Sequence, residues 1–510
     1  MSLIVKPYEN FEALLRKVFN SFKLFLNIIL RFPISPRLIS SVSNEPLLLH
    51  EEKAKFHLTT ISASVLLSTH RIFSFFLILV LSYGSQFVFI DMMKFSVGKL
   101  IIFLALVIVV LQIIHLILLN KLENRNRLKS LLMAPQLSHQ VDIDATDEEV
   151  EVTFLQLADQ LQKGSILDSS GEYQIVFNLA PALKKPKPSD VTIVTQCSYD
   201  HLKNLINLIV FWQGPISVAV YAENENLPEA LWNIANLLAC YSLIKTFVTF
   251  HLVSPLPPKI SPPVSIAPSL LSKQPCQWIN TSESNYAKRR SYPNNLLRNV
   301  GRKNIASDFI LIIDIDILPS HNLRKDFIKF ATSKKVSQKY PNEFNKTVFV
   351  LPAFEVNSEI SAPLYKDQLT HLLKLGVARP FYMEVCSKCQ IPTNYEAWQK
   401  EISSSELLPL FEVPWKDPWE PFYIALKNIP SYDERFKQYG FNRISQVCEL
   451  HIAGYTFAVL NNAFLVHQGW KTASTFHSSK ENDLERNRIL FRQFKQELKS
   501  KYPESSRRCY

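Results

Sequence analysis

Residues 308–320 constrain the fold of this 510-residue chain more than any other segment, with the sequence Asp-Phe-Ile-Leu-Ile-Ile-Asp-Ile-Asp-Ile-Leu-Pro-Ser. The apolar run at 309–313 predicts a strand covered on both faces, as in the sheets of α/β proteins. Alternation of side chains along a strand then places Asp314 and Asp316 on one side of its carboxyl end. Pro319 is expected to stop the strand, which leaves the acids at the rim where open α/β sheets bind ligands.

Two carboxylates at such a rim can hold a hard divalent cation. The remaining coordination positions are then filled by water and diphosphate oxygens, an arrangement expected at a sugar-nucleotide site. The alternative is a strand end whose acids face water or cap the next helix, because Asp-x-Asp alone is a weak motif. The acid pair is therefore a hypothesis that the rest of the chain has to support.

Strand and helix patterns alternate upstream of the acid pair. Strands are predicted at 190–195, 216–221 and 246–253, and helices between them at 199–212 and 227–241. Strand, helix, strand, helix, strand predicts an α/β fold with a mostly parallel central sheet.

The N-terminal part of the chain holds two long apolar runs. Residues 100–119 are interrupted only by Gln112 and His115 and can span a bilayer, and no small-residue cleavage site follows. We therefore predict a transmembrane signal anchor at 100–119. The weaker run at 72–90 conflicts with it, because two spans would leave both chain ends on one side. A start at Met92 resolves this, so we hypothesise that residues 1–91 are an extension of doubtful status.

Charge and composition divide the rest of the chain. Residues 120–165 are polar and acidic and predict a stem, and residues 166–510 predict the globular domain. The net charge of +11 does not indicate nucleic-acid binding, because Lys and Arg are scattered and form no basic helix. Membrane-flanking residues and anionic substrates account better for the excess.

All seven cysteines lie downstream of the apolar runs. Cys386-Ser-Lys-Cys389 is a lone CxxC without a second pair at zinc-finger spacing, so no structural zinc is expected. In a secretory lumen these cysteines would be disulfide candidates with at least one thiol left over. The glycosylation sequons at Asn280 and Asn345 are usable only in that compartment.

Several long strings identify a family. They are Ser291-Tyr-Pro-Asn-Asn-Leu-Leu-Arg-Asn299, Leu351-Pro-Ala-Phe-Glu355, Cys389-Gln-Ile-Pro-Thr-Asn-Tyr395, Pro414-Trp-Lys-Asp-Pro-Trp-Glu-Pro-Phe-Tyr423 and Ala463-Phe-Leu-Val-His467. With them the chain resembles, over 166–510, the β-1,4-glucuronyltransferases of glycosyltransferase family 49, which act on dystroglycan. It is more distantly similar to the second catalytic domain of LARGE-type enzymes.

The resemblance implies a GT-A fold in a single-pass type II Golgi membrane protein with a lumenal catalytic domain. The implied reaction moves glucuronate from UDP-glucuronate to a β-xylose on an O-mannosyl glycan of a glycoprotein, with inversion and with a divalent metal, usually Mn²⁺. For that metal it implies Asp316 as direct ligand, Asp314 as water-mediated ligand or ribose contact, and His467 as third ligand. Mn²⁺ accepts such mixed O and N ligands, although a lone His is otherwise more often structural.

An inverting transfer also needs a general base for the acceptor hydroxyl. Related enzymes often carry this acid at the start of a helix after the acceptor loop, where this chain has Asn442, and an amide cannot take a proton. We predict Glu420 as the base and Asp417 as the alternative. Trp415 and Trp419 beside them either stack on sugar rings or belong to the core.

Donor contacts are predicted from charge and position. A uronate carboxylate demands a cation, preferably a guanidinium. Three arginines in family-like strings are candidates, each alternatively a structural ion pair: Arg298, Arg379 and Arg443. Asn294 and Asn295 are expected to open the helix before the acid pair, where they contact the donor or cap the helix. Thr195 is expected to close the first strand and to contact uridine.

Two other functions are compatible with the sequence. One is a xylosyl- or N-acetylglucosaminyltransferase on the same scaffold, because fold and metal site do not determine the sugar. The other is a non-catalytic Golgi partner of other glycosyltransferases, against which the acid pair and His467 argue. A complex with other Golgi glycosyltransferases fits either reading.

Overall fold

The computed structural model describes residues 107–108, 110–119, 145–256, 276, 292–333, 344–472 and 480–509. The chain divides into two units, residues 1–119 and 120–510. In the first unit, residues 107–108 and 110–119 are helical. The rest of the predicted anchor, the run at 72–90 and the extension 1–91 lie outside the described residues. Among the helices that are described, none is both long and apolar enough to cross a membrane.

The second unit is built from strands and helices that alternate along most of its length. The strands are β1 (Ile166–Leu167), β2 (Tyr173–Ala180), β3 (Val191–Ser198), β4 (Ile216–Tyr221), β5 (Val248–Pro255), β6 (Phe309–Ile312), β7 (Ile317–Pro319), β8 (Thr347–Leu351), β9 (Ala353–Val356), β10 (Ala378–Pro380), β11 (Pro409–Glu412), β12 (Phe422–Leu426), β13 (Thr456–Leu460) and β14 (Leu465–Gln468).

The helices of this unit cover the sheets. They are α1 (Asp147–Lys163), α2 (Asn204–Trp212), α3 (Leu227–Cys240), α4 (Ser242–Phe247), α5 (Asn294–Arg302), α6 (Leu323–Ala331), α7 (Lys366–Lys374), α8 (Met383–Cys386), α9 (Tyr395–Lys400), α10 (Asn442–Ile452) and α11 (Lys480–Lys501). Helix α1 lies within the predicted stem, starts with a capping box of Thr146 and Glu149, and packs Phe154 against Trp232 of α3. That part of the predicted stem is therefore packed on the globular domain.

Two sheets carry the fold. The larger has the order β1-β2-β5-β4-β3-β6-β12-β8-β13-β11, and the smaller has the order β10-β9-β14-β7. In the larger sheet β5-β4-β3-β6 are parallel, as the alternating helices require. Strand β12 then enters antiparallel between β6 and β8. The α/β class is confirmed, but the prediction of a mostly parallel sheet is wrong, because the sheet is mixed.

The strand that carries the acid pair is shorter than predicted. Strand β6 ends at Ile312, and the chain then turns through Asp314, whose carbonyl accepts a hydrogen bond from the Ile317 amide at 3.0 Å. It continues as β7, which belongs to the smaller sheet and ends at Pro319. The acids therefore lie in the connection between two sheets, because the chain changes sheet where the sequence pattern continues.

Three disulfides tie the domain together: Cys240–Cys276, Cys386–Cys389 and Cys448–Cys509. The remaining thiol, Cys197, is buried in β3. Pairing within the CxxC agrees with the prediction that it binds no zinc. The third disulfide fastens α10 to the C-terminal segment, and the Phe491, Phe494 and Leu498 side chains of α11 are buried in the same core.

Candidate active site

The β6–β7 turn faces the end of β14. Strands β7 and β14 pair antiparallel with Ile317 opposite His467, which brings the imidazole beside the preceding Asp316. The His467 Nε2 and Asp316 Oδ2 atoms are 3.1 Å apart. Lys471 Nζ lies 3.1 Å from the same carboxylate oxygen. The predicted pair of ligands is thus brought together, with a cation beside it that the sequence did not single out.

The second ring nitrogen of His467 determines which atom faces Asp316. Nδ1 is 2.8 Å from the Gly469 carbonyl oxygen, which can only accept a hydrogen bond, so Nδ1 carries a proton. A neutral ring then presents the Nε2 lone pair to a carboxylate, and a proton or a cation must lie between them. A backbone carbonyl that orients the imidazole in this way is typical of metal-binding histidines.

The donor set fits a divalent metal with two protein ligands. Within the residues that the structure describes, no group of three His, Cys, Asp or Glu side chains is placed to hold a metal. If Asp316 and His467 hold a metal, they would leave most coordination positions to water and phosphate oxygens, which is usual for metals that bind with a nucleotide. Asp314, predicted as a water-mediated ligand or a ribose contact, is paired with Arg298 and Arg443.

Asp314 lies between two guanidinium groups. Its Oδ1 is 3.3 Å from Nη2 of Arg298, and its Oδ2 is 3.0 Å from Nη2 of Arg443. Both arginines are buried and contact aromatic rings, Arg298 that of Tyr432 at 5.5 Å and Arg443 that of Phe422 at 4.2 Å. Asp314 therefore orders these two cations at the site.

Both acids are ionised. Burial raises the pKa of Asp314, but Arg443 and Arg298 outweigh it and hold that pKa below its usual value. Burial likewise raises the pKa of Asp316, but His467 and Lys471 bring it well below the usual range. The side chains remain 35% and 36% exposed, so both carboxylates are available as charged groups.

The asparagines at the start of α5 have different surroundings. Helix α5 begins at Asn294 as predicted, but neither side chain caps it. Asn295 is fully buried, accepts a hydrogen bond from Arg298 Nη1 at 2.9 Å and donates to the carbonyls of Asp433 and Asn442. It therefore positions Arg298. The buried Oδ1 of Asn294 has no hydrogen-bond partner in the described part of the chain.

Glu420 has the protonation behaviour of a base. Burial raises its pKa to about 7; Arg443 and Arg298 lower it, and Asp314 raises it further. Its backbone is fastened to the segment after the CxxC, because the Glu420 amide donates to the Cys389 carbonyl at 3.0 Å. The Glu420 carboxylate interacts electrostatically with Asp314. No hydrogen bond to this carboxylate is found among the described residues, so its oxygens are available to accept a proton.

Asp417 belongs to different surroundings. Burial raises its pKa too, but the charge that acts on it is that of Lys495 on α11. In the same segment, Trp415 and Trp419 are buried, and the Trp415 Nε1 atom donates to the Trp419 carbonyl at 3.0 Å. The prediction that these tryptophans belong to the core is confirmed. Of the two predicted bases, Glu420 is the one that interacts electrostatically with Asp314.

Arg379 is occupied by structural partners. Its Nε lies 2.7 Å from the fully buried Glu355, its Nη1 lies 3.2 Å from Glu384, and its Nη2 donates to the Lys471 carbonyl at 3.1 Å. The guanidinium also lies over the Trp470 ring at 4.7 Å. Arg379 thus fixes the segment that carries Lys471.

Thr195 does not close its strand, because β3 continues to Ser198. The side chain is fully buried, and its hydroxyl has no hydrogen-bond partner among the described residues. That strand prediction is wrong. The contact with uridine stays a prediction.

Two residues of the site were missed. Lys471 follows the predicted ligand His467 by four positions, and a cation so close to a metal ligand is a usable sequence signal. Tyr382 carries no such signal: burial first, and then the charge of Glu420, raise its pKa well above the usual value. Its ring stacks on Phe381 at 4.2 Å, and Phe381 lies 6.1 Å from the His467 ring.

The chain is similar to known glycosyltransferases. A family model described as "Glycosyl-transferase for dystroglycan" matches residues 190–503. Human β-1,4-glucuronyltransferase 1 is 40% identical over 371 residues, which cover 71% of this chain and 87% of that protein. The Danio rerio protein of the same name is 37% identical over 440 residues, 82% of this chain and 99% of that protein.

More distant similarities were also found. Human xylosyl- and glucuronyltransferase LARGE1 is 27% identical over 311 residues, 61% of this chain and 35% of that protein. Among solved structures, GalNAc-T7 with UDP, GalNAc and Mn²⁺ is 10% identical with a TM-score of 0.35, and covers 62% of this chain and 51% of that chain.

Proposed function

Because the chain belongs to the family of glycosyltransferases for dystroglycan, we propose that it transfers glucuronate from UDP-glucuronate to a β-xylose on an O-mannosyl glycan, with inversion. The observation that carries the proposal is an oriented Asp316–His467 pair next to Asp314, which is electrostatically coupled to Glu420, a carboxyl whose pKa burial raises to about 7. The position of this turn after the parallel strands supports the GT-A fold.

Asp316 and His467 would hold Mn²⁺. When bound, the metal would neutralise charge on the departing diphosphate. Lys471 contributes from the protein side, because its ammonium lies within 3.1 Å of Asp316 and adds a positive charge where the diphosphate arrives. Asp314 remains with the arginines and acts on the donor only through them.

The three arginines differ in the donors that they have left for a uronate. Arg379 uses Nε, Nη1 and Nη2 in its contacts. Arg298 uses both Nη atoms. Among the described residues, Arg443 donates only from Nη2, to Asp314, and its other N–H groups can take a second carboxylate in the bidentate manner that guanidiniums favour. Arg443 is therefore our choice for the uronate carboxylate.

Glu420 takes the proton from the acceptor hydroxyl. A base is most effective when its pKa lies near the working pH, and burial raises the pKa of Glu420 to about 7. Asn442 at the start of α10 accepts a hydrogen bond from Arg298 Nη1 at 3.3 Å. Its side chain therefore positions Arg298 and does not act as the general base.

We place the catalytic domain in the Golgi lumen, behind a type II anchor at 100–119. Three disulfides support an oxidising compartment. Asn345 of one sequon is exposed in the turn before β8, where an oligosaccharide can be attached. Detection of Asn345 glycosylation in the secreted domain would test this, with Asn345→Gln as the control.

The donor and acceptor are tested together. Purified protein is incubated with a β-xyloside and, separately, UDP-glucuronate, UDP-xylose, UDP-glucose and UDP-N-acetylglucosamine, with Mn²⁺ and with EDTA. We expect transfer from UDP-glucuronate alone, a β-1,4 linkage by NMR, and loss of transfer in EDTA. Preferred transfer of another sugar would refute the donor assignment, and no transfer from any donor would refute the enzyme assignment for this acceptor.

A further inference from the structure

A cavity of about 240 Å³ lies away from the β6–β7 turn that carries Asp314 and Asp316. It is lined by residues 320–323, 326, 364–367, 403–404, 407 and 462–463. The Ser320 amide donates to the Phe464 carbonyl at 2.9 Å, where β7 ends and β14 begins. Asp316 and His467 lie at the opposite end of that strand pair, about 10 Å away at roughly 3.3 Å per residue. The cavity is therefore separate from the candidate active site.

The charges around this cavity disfavour an ionic ligand. Asp326 and Asp367 lie at its edge and repel an anion. A cation meets the N-terminal ends of α6 and α7, which carry partial positive charge, and the Lys366 ammonium. That ammonium is already used, since Nζ donates to the Asn461 carbonyl at 2.9 Å and lies 4.2 Å from the Trp398 ring centre. A neutral ligand with hydroxyl groups meets neither repulsion.

The cavity offers such a ligand both hydrogen-bonding groups and an aromatic face. Asp326 supplies carboxylate acceptors and Asn322 an amide, and both side chains are exposed. Tyr365 is 52% exposed, and its ring is held edge-on by His321 at 5.3 Å and 70°. A fixed, exposed ring beside hydroxyl-binding groups suits the apolar face of a pyranose.

We propose that this cavity is a second glycan-binding site, which takes a neutral sugar unit over Tyr365 with its hydroxyls on Asp326. Pockets for drug-sized ligands have volumes of about 300–1,000 Å³. This cavity is smaller, and its size suits a single sugar residue. If the proposed function holds, the site gives a long acceptor glycan or its glycoprotein a second contact. Two contacts on one molecule raise the effective concentration of the second.

Binding is tested without transfer. Saturation-transfer NMR on the whole protein, without donor or Mn²⁺, uses methyl α-mannoside and methyl β-galactoside as probes, and separate titrations use inorganic phosphate and Ca²⁺. We expect at least one glycoside to bind, and its affinity to fall about tenfold in Tyr365→Ala and in Asp326→Asn. Leu375→Ala, just past the far end of α7, should bind like the wild type.

Each other result counts against the proposal. A glycoside signal unchanged in both cavity variants places the sugar elsewhere, and phosphate or Ca²⁺ binding that the same variants abolish replaces the sugar by an ion. Asp326→Asn keeps the test valid if Tyr365→Ala does not fold, which circular dichroism shows. Because no donor is present, failure of the proposed transferase reaction leaves this measurement interpretable.

Discussion

Replacing Glu420 by Gln removes a carboxylate whose pKa burial raises to about 7, against the charge of Arg443 and with that of Asp314. A base with this pKa is about half ionised at pH 7 and about 1% ionised at pH 5, so wild-type kcat/KM should fall roughly tenfold per pH unit on the acid side. Gln cannot accept a proton. Glu420→Gln should therefore be about 10²–10⁴-fold slower than the wild type. Its pH–rate profile should also lack the acid limb, which is the fall in kcat/KM below pH 7.

Initial rates from pH 5 to pH 9 with saturating UDP-glucuronate and a β-xyloside measure both effects. UDP affinity should be preserved, because Glu420 is not a metal ligand. The matched control is Asp417→Asn, which changes an acid of the same segment that is coupled to Lys495 rather than to Asp314, and it should retain the wild-type profile. A near-normal rate in Glu420→Gln, or an acid limb that persists, refutes the assignment; a dead Asp417→Asn moves the base there.

Four further outcomes are expected. Asp316→Asn should remove the Mn²⁺ dependence of UDP binding by calorimetry, with the fold intact by circular dichroism. Arg443→Leu should lower use of UDP-glucuronate relative to UDP-glucose, measured as a kcat/KM ratio. Relative to Glu420→Gln, the wild type should lose unfolding free energy as pH rises from 4.5 to about 7, because the folded state holds the Glu420 proton more tightly; urea titrations of both proteins at each pH measure this difference. Cys509→Ser removes the disulfide to Cys448, 61 residues earlier, and should lower the free energy of unfolding by about 2–5 kcal/mol.

Local patterns predicted the elements of the α/β half well. Strand β4 has the predicted bounds, and α3 ends one residue before the prediction. Both are determined by periodicity and by neighbouring helices. The antiparallel entry of β12 between β6 and β8 depends on pairing between distant segments, which no local pattern records. The early end of β6 has the same origin, because the apolar run continues while the chain changes sheet.

The site shows the same division. The Asp316–His467 pair could be predicted, because a family resemblance named both residues. The choice among the arginines could not, since it depends on which acids lie nearby in space: Glu355 for Arg379, Asp314 for Arg443. The difference between Glu420 and Asp417 likewise comes from burial and distant charges rather than from the segment that they share.

The register of β7 and β14 limits how this protein can change in length. Ile317 pairs with His467 and Pro319 with Leu465, and side chains alternate between faces with a period of two. Insertion or deletion of one residue within either strand would turn the imidazole to the opposite face and separate it from Asp316, even if every other contact re-formed. Length variation that keeps the site must therefore fall outside these seven strand residues.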